Sequence, residues 1–458
     1  MSAEDELPEG WASTTLGEVA PASKEKVEPY EKPKAPYLSL EHVESNTLKI
    51  IGRGLATDVK STKSVFRAGD VLYGKLRPYL NKVAIPTFDG ICSTDFVVFP
   101  QRPWLVSHYL MWFLSQGHVV EYANHHSSGV SLPRVKLEAL KQLEFPLPPL
   151  AEQQRIVAKV EELLSQVNAA RERLARTAAL LKRFRQSVLA TACDGRLTAD
   201  WRGDVSTNGE LPEGWKSGHL GDLLQRIEAG KNFTCVERPP SEDEVGVVKV
   251  SAVTWGEFRE TESKTCTDPE KVNPQYFIQP GDFLFSRANT IELVGACVVV
   301  DDVQRTLMLS DKILRFHFNG VPPRWLLYVL RSRHGRNEIE RLATGNQASM
   351  RNIAQESIKQ IEMLVPPENE QHEIVRRADA LLTLADAIES RVAGATARAE
   401  RLTQSILAKA FRGELVPTEA ELARAEGRDY EPASVLLERV RAGREGDHAE
   451  PRRGRRSR

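Results

Sequence analysis

The sequence has little that would build a covalent scaffold or a membrane anchor. Its five cysteines are an odd number and form no Cys-x-x-Cys pair, which argues against a disulfide framework and a cysteine-based zinc site. No apolar run approaches the ~18 residues of a membrane span. The start, MSAEDELPEG, is acidic and lacks the basic and apolar regions of a signal peptide. We therefore expect free thiols, no membrane segment and a cytoplasmic location.

An excess of charge of one sign is also missing. The formal net charge is −1. Residues 7–147 contain 16 Lys and Arg against 14 Asp and Glu, and residues 211–365 contain 19 against 21. Because this balance attracts no polyanion globally, a nucleic-acid site would have to be a local basic patch.

Catalytic motifs are absent from the sequence. The stretch GDVLYGK at 69–75 has the spacing of a phosphate-binding loop, but Leu76 stands where that loop needs a hydroxyl for Mg²⁺. His125 and His126 have no ligand partner at a useful spacing. No HExxH, HNH-like cluster, nuclease signature, methyl-transfer motif or glycine-rich adenosylmethionine loop occurs. We expect no catalytic residue, no metal site and no cofactor bound by this chain.

The sequence does contain one long segment twice. PPLAEQQRIVAKVEELL, the start of 148–198, returns as PPENEQHEIVRRADALL, the start of 366–416, and the copies align without a gap. Each copy begins with a proline pair followed by acidic residues and ends near a glycine, Gly195 or Gly413, as a helix does. Apolar residues recur at alternating steps of four and three, which indicates a coiled-coil seam. The pattern also includes Phe184. The predicted seam and partner-contact residues are Ile156, Val160, Leu163, Val167, Leu174, Leu181, Ile374, Leu381, Ile388, Leu402 and Ile406.

The rest of the chain is duplicated as well. The motif LPEGW at 7–11 returns at 211–215, an offset of 204, and the offset has grown to 218 at the long segments. Insertions and deletions are therefore confined to the two globular regions, here called the heads. Short strands and one helix, near 109–122 or 325–342, predict a mixed α/β fold for each head. Variable heads on helices of equal length suggest that the heads choose a target and the helices set geometry.

Basic and polar side chains recur at matched strand ends of the two heads. Lys75 follows the first Gly-Asp-x-Leu strand, and Arg287 follows the second. Such side chains reach phosphates or base edges in DNA-binding proteins, although ordinary solvated strand ends have the same composition. The candidate DNA-binding residues are Lys75, Arg77, Tyr79, Arg134, Arg287, Asn289, Asn346, Gln347 and Arg351.

Five further arginines are grouped in the predicted helix of the second head. They either line a phosphate track or form a solvated face, and Glu338 and Glu340 partly neutralise them. These residues are Arg324, Arg331, Arg333, Arg336 and Arg341.

The repeated motifs resemble the specificity subunit of type I restriction-modification systems. LPEGW, the Gly-Asp-x-Leu strand, PPxxEQxxIV and QSxLAxAxxGxL all occur twice and span nearly the whole chain, and EPASVLLERV at 431–440 is similar to that family's C-terminal segment. The resemblance implies an α+β protein with an internal pseudo-twofold repeat, in which two mixed α/β target recognition domains are joined by two long helices that form an antiparallel coiled coil. The expected divisions are recognition domains at 1–147 and 211–365, long helices at 148–198 and 366–416, a linker at 199–210, a C-terminal segment with a short helix at 417–442, and a disordered basic tail at 443–458.

The resemblance also implies a function and partners. Each recognition domain would read one half of a bipartite double-stranded DNA target, while the helices set the spacer and hold two methyltransferase subunits. Restriction and translocase subunits would join for cleavage. This chain would be non-catalytic, with S-adenosylmethionine bound by the methyltransferase partner, and ATP and Mg²⁺ bound by the restriction partner. A coiled-coil scaffold without DNA specificity and an enzyme with an unrecognised active site are the alternatives.

Overall fold

A computed structural model describes residues 7–203, 211–347 and 350–449, and the side chains of 346, 347 and 443–449 lie outside that description. The chain divides into two compact units. The first contains residues 1–174 and 395–458, and the second contains residues 175–394. Each unit therefore holds one head and one half of each long helix.

Short strands dominate the head of the first unit. They are β1 (Ala12–Thr15), β2 (Lys26–Val27), β3 (Pro36–Leu38), β4 (Gly54–Leu55), β5 (Lys63–Phe66), β6 (Val71–Gly74), β7 (Val83–Ala84), β8 (Gly90–Cys92), β9 (Phe96–Phe99), β10 (Ser127–Ser128), β11 (Arg134–Val135) and β12 (Glu144–Leu147). They form a five-stranded sheet in the order β2-β5-β8-β3-β4, a three-stranded sheet β7-β6-β9, and the pairs β1-β12 and β10-β11. Only β3 and β8 pair in parallel among these described strands.

Helices cover these sheets and bring in the first long helix. They are α1 (Leu16–Val19), α2 (Ser107–Leu114), α3 (Gly117–His125), α4 (Leu137–Lys141) and α5 (Leu150–Cys193). Aromatic rings make the centre of the core: Tyr109 and Phe113 of α2 contact Phe145, with ring centroids 5.9 and 4.6 Å away. Phe411, from the second long helix, lies 4.8 Å from Tyr109. The core thus includes both long helices.

The second unit repeats this architecture. Its helices are α6 (Ala199–Arg202), α7 (Leu220–Leu223), α8 (Pro323–Arg331), α9 (Arg333–Leu342), α10 (Gln355–Lys359) and part of α11 (Glu368–Phe411). Its strands are β13 (Lys216–His219), β14 (Leu224–Ala229), β15 (Cys235–Val236), β16 (Gly246–Val248), β17 (Ser263–Cys266), β18 (Phe283–Ser286), β19 (Ala288–Asn289), β20 (Cys297–Val299), β21 (Leu307–Met308), β22 (Ile313–Phe318), β23 (Thr344–Gln347), β24 (Met350–Asn352) and β25 (Glu362–Val365). The sheets are β14-β22-β18-β20, β15-β17-β16-β21, β19-β24-β23 and β13-β25.

Strand register confirms the internal repeat. In the first unit Ala12 of β1 lies opposite Leu147 of β12, and in the second Lys216 of β13 lies opposite Val365 of β25. The pairs are related by the same offsets as LPEGW and the long segments. Each head is thus closed by a strand that leads directly into a long helix.

The two long helices pack together, with 44 residues in each. In the second unit Arg185 of α5 bonds to Asp386 and Glu389 of α11, at 2.6 Å each, while Val188 farther along α5 clusters with the earlier Ala378. Residue numbers increase along α5 in the direction in which they decrease along α11. The antiparallel coiled coil is therefore confirmed, and at ~1.5 Å per residue each helix extends about 66 Å.

Burial along the helices follows most, but not all, of the predicted seam. Within each unit, Ile156, Val160, Leu181 and Ile374 are buried, and the remaining predicted positions except one are half-buried. The exception is Leu402, which is 53% exposed, and Phe184, its repeat equivalent in the predicted pattern, is 37% exposed, so the seam prediction is wrong for both residues. The described helix instead half-buries Thr403. The prediction selected apolar residues at steps of three or four, so it assigned Leu402 and not the polar Thr403 to the seam.

Three other expectations need adjustment. Each head contains two helices where one was predicted. In the first head Ser115 Oγ donates to the Met111 carbonyl at 2.7 Å at the end of α2, and in the second head Ser332 caps α9 by accepting from Gly335 N at 3.1 Å. The first residues of the predicted linker form α6, and 204–210 lie outside the described residues. The C-terminal segment contains α12 (Glu419–Glu426) and α13 (Ala433–Ala449), and α13 is longer than the predicted short helix. The rest of the predicted disordered tail, 450–458, lies outside the described residues.

Candidate nucleic-acid interface

The basic edge of the first head, formed by Lys75, Arg77 and Arg134, lies where β6 meets β11. Lys75 follows the buried strand β6, and its carbonyl accepts a hydrogen bond from Val135 N at 3.1 Å. Leu76 pairs with Arg134 through an isolated bridge. Residues almost sixty positions apart are thereby held side by side, so the structure brings together candidates that the sequence had placed separately.

Arg77 is fixed in an unusual backbone conformation at this edge. Its φ is +52°, in the left-handed region that non-glycine residues rarely occupy. Its N–H donates to the Pro133 carbonyl at 2.7 Å, and its guanidinium donates to the Ser131 carbonyl at 3.4 Å. Tyr79 follows in the next turn and is 49% exposed. The backbone bonds hold Arg77 against the β10-β11 connection while its side chain stays exposed.

Arg134 is held by a carboxylate. Its Nε donates to Oδ1 of Asp95 at 3.0 Å, and roughly half of the Arg134 side chain remains exposed. An exposed pair of this kind contributes about 0–1 kcal/mol to stability. Its main effect is to orient the guanidinium at the surface.

The basic edge of the second head, formed by Arg287 and Arg351, has the same backbone plan. The Arg287 carbonyl accepts from Ile353 N at 2.9 Å, which is the repeat equivalent of the bond from Val135 to Lys75. Ala288 and Asn289 pair with Asn352 and Arg351 across β19 and β24. Asn289 and Arg351 therefore share one small sheet, and Arg287 directly precedes its strand β19. The candidates Asn346 and Gln347 lie in β23 of that sheet, but their side chains are outside the described ones.

Two arginines of α8 and α9 hold neighbouring loops, a role that neither expectation described. Arg336 donates to the carbonyls of Val294 and Ile291, at 2.6 and 3.3 Å, and Arg331 donates to the Cys297 carbonyl at 2.7 Å. Arg341 bonds to Glu338. Arg331 and Arg336 therefore fasten α8 and α9 to neighbouring loops, and Arg324 pairs with Asp301 and Asp379. Arg333 and Arg341 are exposed, as expected for a solvated face.

A lysine-lined cleft in the second head was missed by the sequence analysis. Lys231, Lys249, Lys264 and Lys312 line a cavity of about 440 Å³ beside β16. Glu237 pairs with both Lys249 and Lys264, which reduces the positive charge there. The four lysines are widely separated in the chain, and no local motif joins them. The Lys312 carbonyl accepts from Arg287 N at 3.0 Å, so the cleft adjoins the basic edge.

Other chemistry is sparse in the described part of the chain. No group of His, Cys, Asp and Glu suited to a metal ion occurs within it. His126 stacks on Tyr122, with ring centroids 4.0 Å apart. All five cysteines are free thiols, as predicted. No described helix has the length and apolarity needed to cross a membrane.

Comparison with known sequences gives consistent matches. The family model described as type I restriction modification DNA specificity domain matches residues 8–176. The specificity subunit of the type I restriction enzyme EcoKI, from Escherichia coli K12, is 33% identical over 327 residues, which cover 69% of this chain and 68% of that subunit. The StySPI specificity subunit from Salmonella potsdam is 29% identical over 470 residues and covers 96% of both chains. The similarity therefore extends over both heads and both long helices.

Solved structures show the same fold. A chain from a structure that concerns complex assembly and conformational transition of the type I R-M system has a TM-score of 0.72 and 26% identity, covering 89% of this chain and 99% of that one. The HsdS subunit from Thermoanaerobacter tengcongensis has a TM-score of 0.55 and 26% identity, with 90% and 99% covered.

Proposed function

We propose, because this chain belongs to the family of type I restriction-modification specificity subunits, that each of its heads reads one half of a bipartite double-stranded DNA target. DNA recognition fits the role of that family. The finer assignment, one half-site for each of the heads at 1–147 and 211–365, is supported by the internal repeat. Two heads with one backbone plan and different surface residues suit two different half-sites.

The observation that carries this proposal is the matched pair of basic edges. Lys75 in the first head and Arg287 in the second occupy equivalent positions, and their carbonyls accept equivalent backbone bonds from Val135 and Ile353. Lysine and arginine at fixed surface positions contact phosphates and, through bidentate bonds, guanine. The chain as a whole carries almost no net charge. Because the protein is nearly neutral overall, these two basic edges are the surfaces that we expect to contact DNA.

We assign the helix pair to partner docking and to the spacer between half-sites. Support comes from Phe184 on α5 and Leu402 on α11, which are 37% and 53% exposed and separated by the repeat offset of 218. Each belongs to a different compact unit. Matched apolar side chains on a repeated helix suit two copies of one partner, since the same contact can then be made twice. We propose that the two copies are methyltransferase subunits.

We propose that the chain is non-catalytic and acts by positioning its partner subunits on DNA. S-adenosylmethionine would be bound by the methyltransferase subunits, and ATP and Mg²⁺ by restriction and translocase subunits. This subunit would supply double-stranded DNA recognition in the cytoplasm and no cofactor chemistry of its own.

A gel shift with a library of random DNA sites tests the assignment against its alternatives. The full chain is measured with and without the methyltransferase subunits, and retained sequences are read. If the chain is a recognition subunit, the assembled complex should enrich a bipartite sequence. The chain alone should show no enzymatic turnover. A scaffold would enrich no sequence, and an enzyme with an unrecognised site would turn over without partners.

A further inference from the structure

We propose that the hairpin at 127–135 of the first head is a base-reading element whose apolar tip, Val130 and Leu132, enters the major groove of DNA. The inference rests on the proposed function, because it names the part of the head that reads bases. It adds an apolar contact to the basic edge identified above.

The base of this hairpin is firmly held by the head. Ser127 and Ser128 of β10 pair with Val135 and Arg134 of β11, and the Val135 side chain is buried in the core. Ser127 Oγ also donates to the Ala123 carbonyl at 2.7 Å. The hairpin thus begins at the end of α3 and returns into the core. Its position is set by bonds at its base, which leaves the tip available for another molecule.

The tip turns at Gly129. Its φ is +105°, and an added Cβ would lie 3.0 Å from the Leu132 carbonyl oxygen, so a glycine suits this position. Beyond it Val130 is fully exposed and Leu132 is 48% exposed. Exposing two apolar side chains on one short connection forgoes the burial that either could gain in a core. Such a pair points to a surface that something covers.

Charge indicates which partner covers it. Arg77 lies against the hairpin through its bonds to the Ser131 and Pro133 carbonyls, and Arg134 forms its returning strand. Covering these cations with an apolar protein surface would cost free energy of desolvation. A DNA groove is instead bordered by phosphates, which neutralise them. Thymine presents a methyl group in the major groove, and apolar side chains contact it there.

The shape of the element selects the groove. The major groove is about 12 Å wide and admits a two-stranded β-ribbon, while the minor groove is about 6 Å wide. A hairpin that carries Arg134 on its returning strand and contacts Arg77 through the Ser131 carbonyl can place its tip against base edges while the guanidinium groups reach phosphates.

The second head carries an equivalent feature. Gly345 has a φ of +135°, and a Cβ there would lie 2.6 Å from the Met350 carbonyl oxygen. Met350 is 67% exposed, and the next residue is Arg351 of the basic edge. The two heads differ in sequence here but share an exposed apolar side chain beside an arginine. Such differences would suit two half-sites of different sequence.

The test replaces both tip residues, Val130→Ser with Leu132→Ser, in the full chain assembled with its methyltransferase subunits. The target is first defined by mapping methylated bases with the wild-type complex. Affinity is then measured for that duplex and for single-base-pair variants of it, at several salt concentrations. Discrimination at one or two positions of one half-site should fall roughly fourfold to tenfold. The other half-site and the salt slope should not change, because an apolar contact releases no counterion.

Ile51→Ser is the matched control, since Ile51 is a 62% exposed apolar residue elsewhere in the same head. It should leave discrimination unchanged. Co-purification with the methyltransferase subunits shows that both variants are folded. Unchanged discrimination in the double variant, or a uniform loss across all sequences with a smaller salt slope, would overturn the proposal. A wild-type complex without sequence preference would instead reject the proposed function.

Discussion

The indole nitrogen of Trp11 donates a hydrogen bond to Oε1 of Glu152 at 2.8 Å, across 141 positions of the chain. In the second unit Trp215 donates to Glu370 at 3.0 Å. Each bond joins the LPEGW motif that opens a head to the Glu-Gln motif that opens a long helix. The two motifs recur together because they are the two sides of one buried contact.

We predict that Glu152→Ala destabilises the first unit by roughly 2 to 6 kcal/mol. The carboxylate is buried and also accepts from Glu419 N at 2.8 Å, so its removal leaves two buried donors unpaired, at about 1–3 kcal/mol each. Urea unfolding followed by tryptophan fluorescence measures the change. Glu152→Gln keeps one of the two acceptor oxygens and should therefore cost less than Glu152→Ala. Equal stability of Glu152→Ala and the wild type would show that the contact is dispensable.

The same residue predicts a dependence on pH. Burial raises the pKa of the Glu152 carboxyl, although the hydrogen bonds from Glu419 N and Trp11 act in the opposite direction. The folded state then binds more protons than the unfolded state, so this group's contribution to stability falls as pH rises from about 4.3 through the raised folded pKa. Glu152→Gln should remove that decline, which unfolding measured at several pH values would show.

The long-range contacts show where prediction from the sequence stops. The two long helices and the repeat could be predicted, because spacing and offset are properties of the chain itself. The pairing of Trp11 with Glu152 could not, since no periodicity links positions so far apart. Leu402 was misplaced because apolarity does not determine which side of a helix is covered. The convergence of Lys75 with Arg134 depends on strand pairing, which the sequence left open.

For the basic edges, we predict that alanine at Lys75, Arg77 and Arg287 weakens DNA binding by the assembled complex. Each lost phosphate contact should lower the salt slope by ~0.9, and each lost bidentate base contact should cost ~1 to 3 kcal/mol at one position of the target. Affinity measured over a range of salt separates the two cases. Lys60→Ala, an exposed cation elsewhere in the first head, is the control. Unchanged affinity and slope in the triple variant would show that these residues do not touch DNA.

At the helices, Phe184→Ser and Leu402→Ser should each weaken attachment of one methyltransferase subunit. Leu402 is 53% exposed and Phe184 is 37% exposed, so each change should leave the helices folded, while a buried interface contact is typically worth at least about 1 kcal/mol. The ratio of partner to specificity subunit after co-purification measures the effect. Val236→Ser, at a 48% exposed position in the second head, serves as control. A full complement of partners in the double variant would place the dock elsewhere.

Changing helix length should change the spacer. Four residues inserted near Thr177 lengthen α5 by ~6 Å and change its phase by about 40° from a full turn, which should favour a spacer longer by one or two base pairs. The half-site sequences should remain the same. Leu174→Pro should break the helix at a cost of ~3 kcal/mol or more and loosen the partner, because proline removes a hydrogen bond and clashes with the preceding turn. Full activity of the insertion variant at the original spacer would exclude a role for helix length.

The central claim, that each head reads its own half of a DNA target, is tested most directly by exchanging one head. Residues 211–365 are replaced by the corresponding head of a relative, and methylated bases are mapped genome-wide in cells that supply the methyltransferase subunits. We expect a new sequence in one half-site, with the other half-site and the spacer unchanged. A change in both half-sites, or in neither, would contradict the claim.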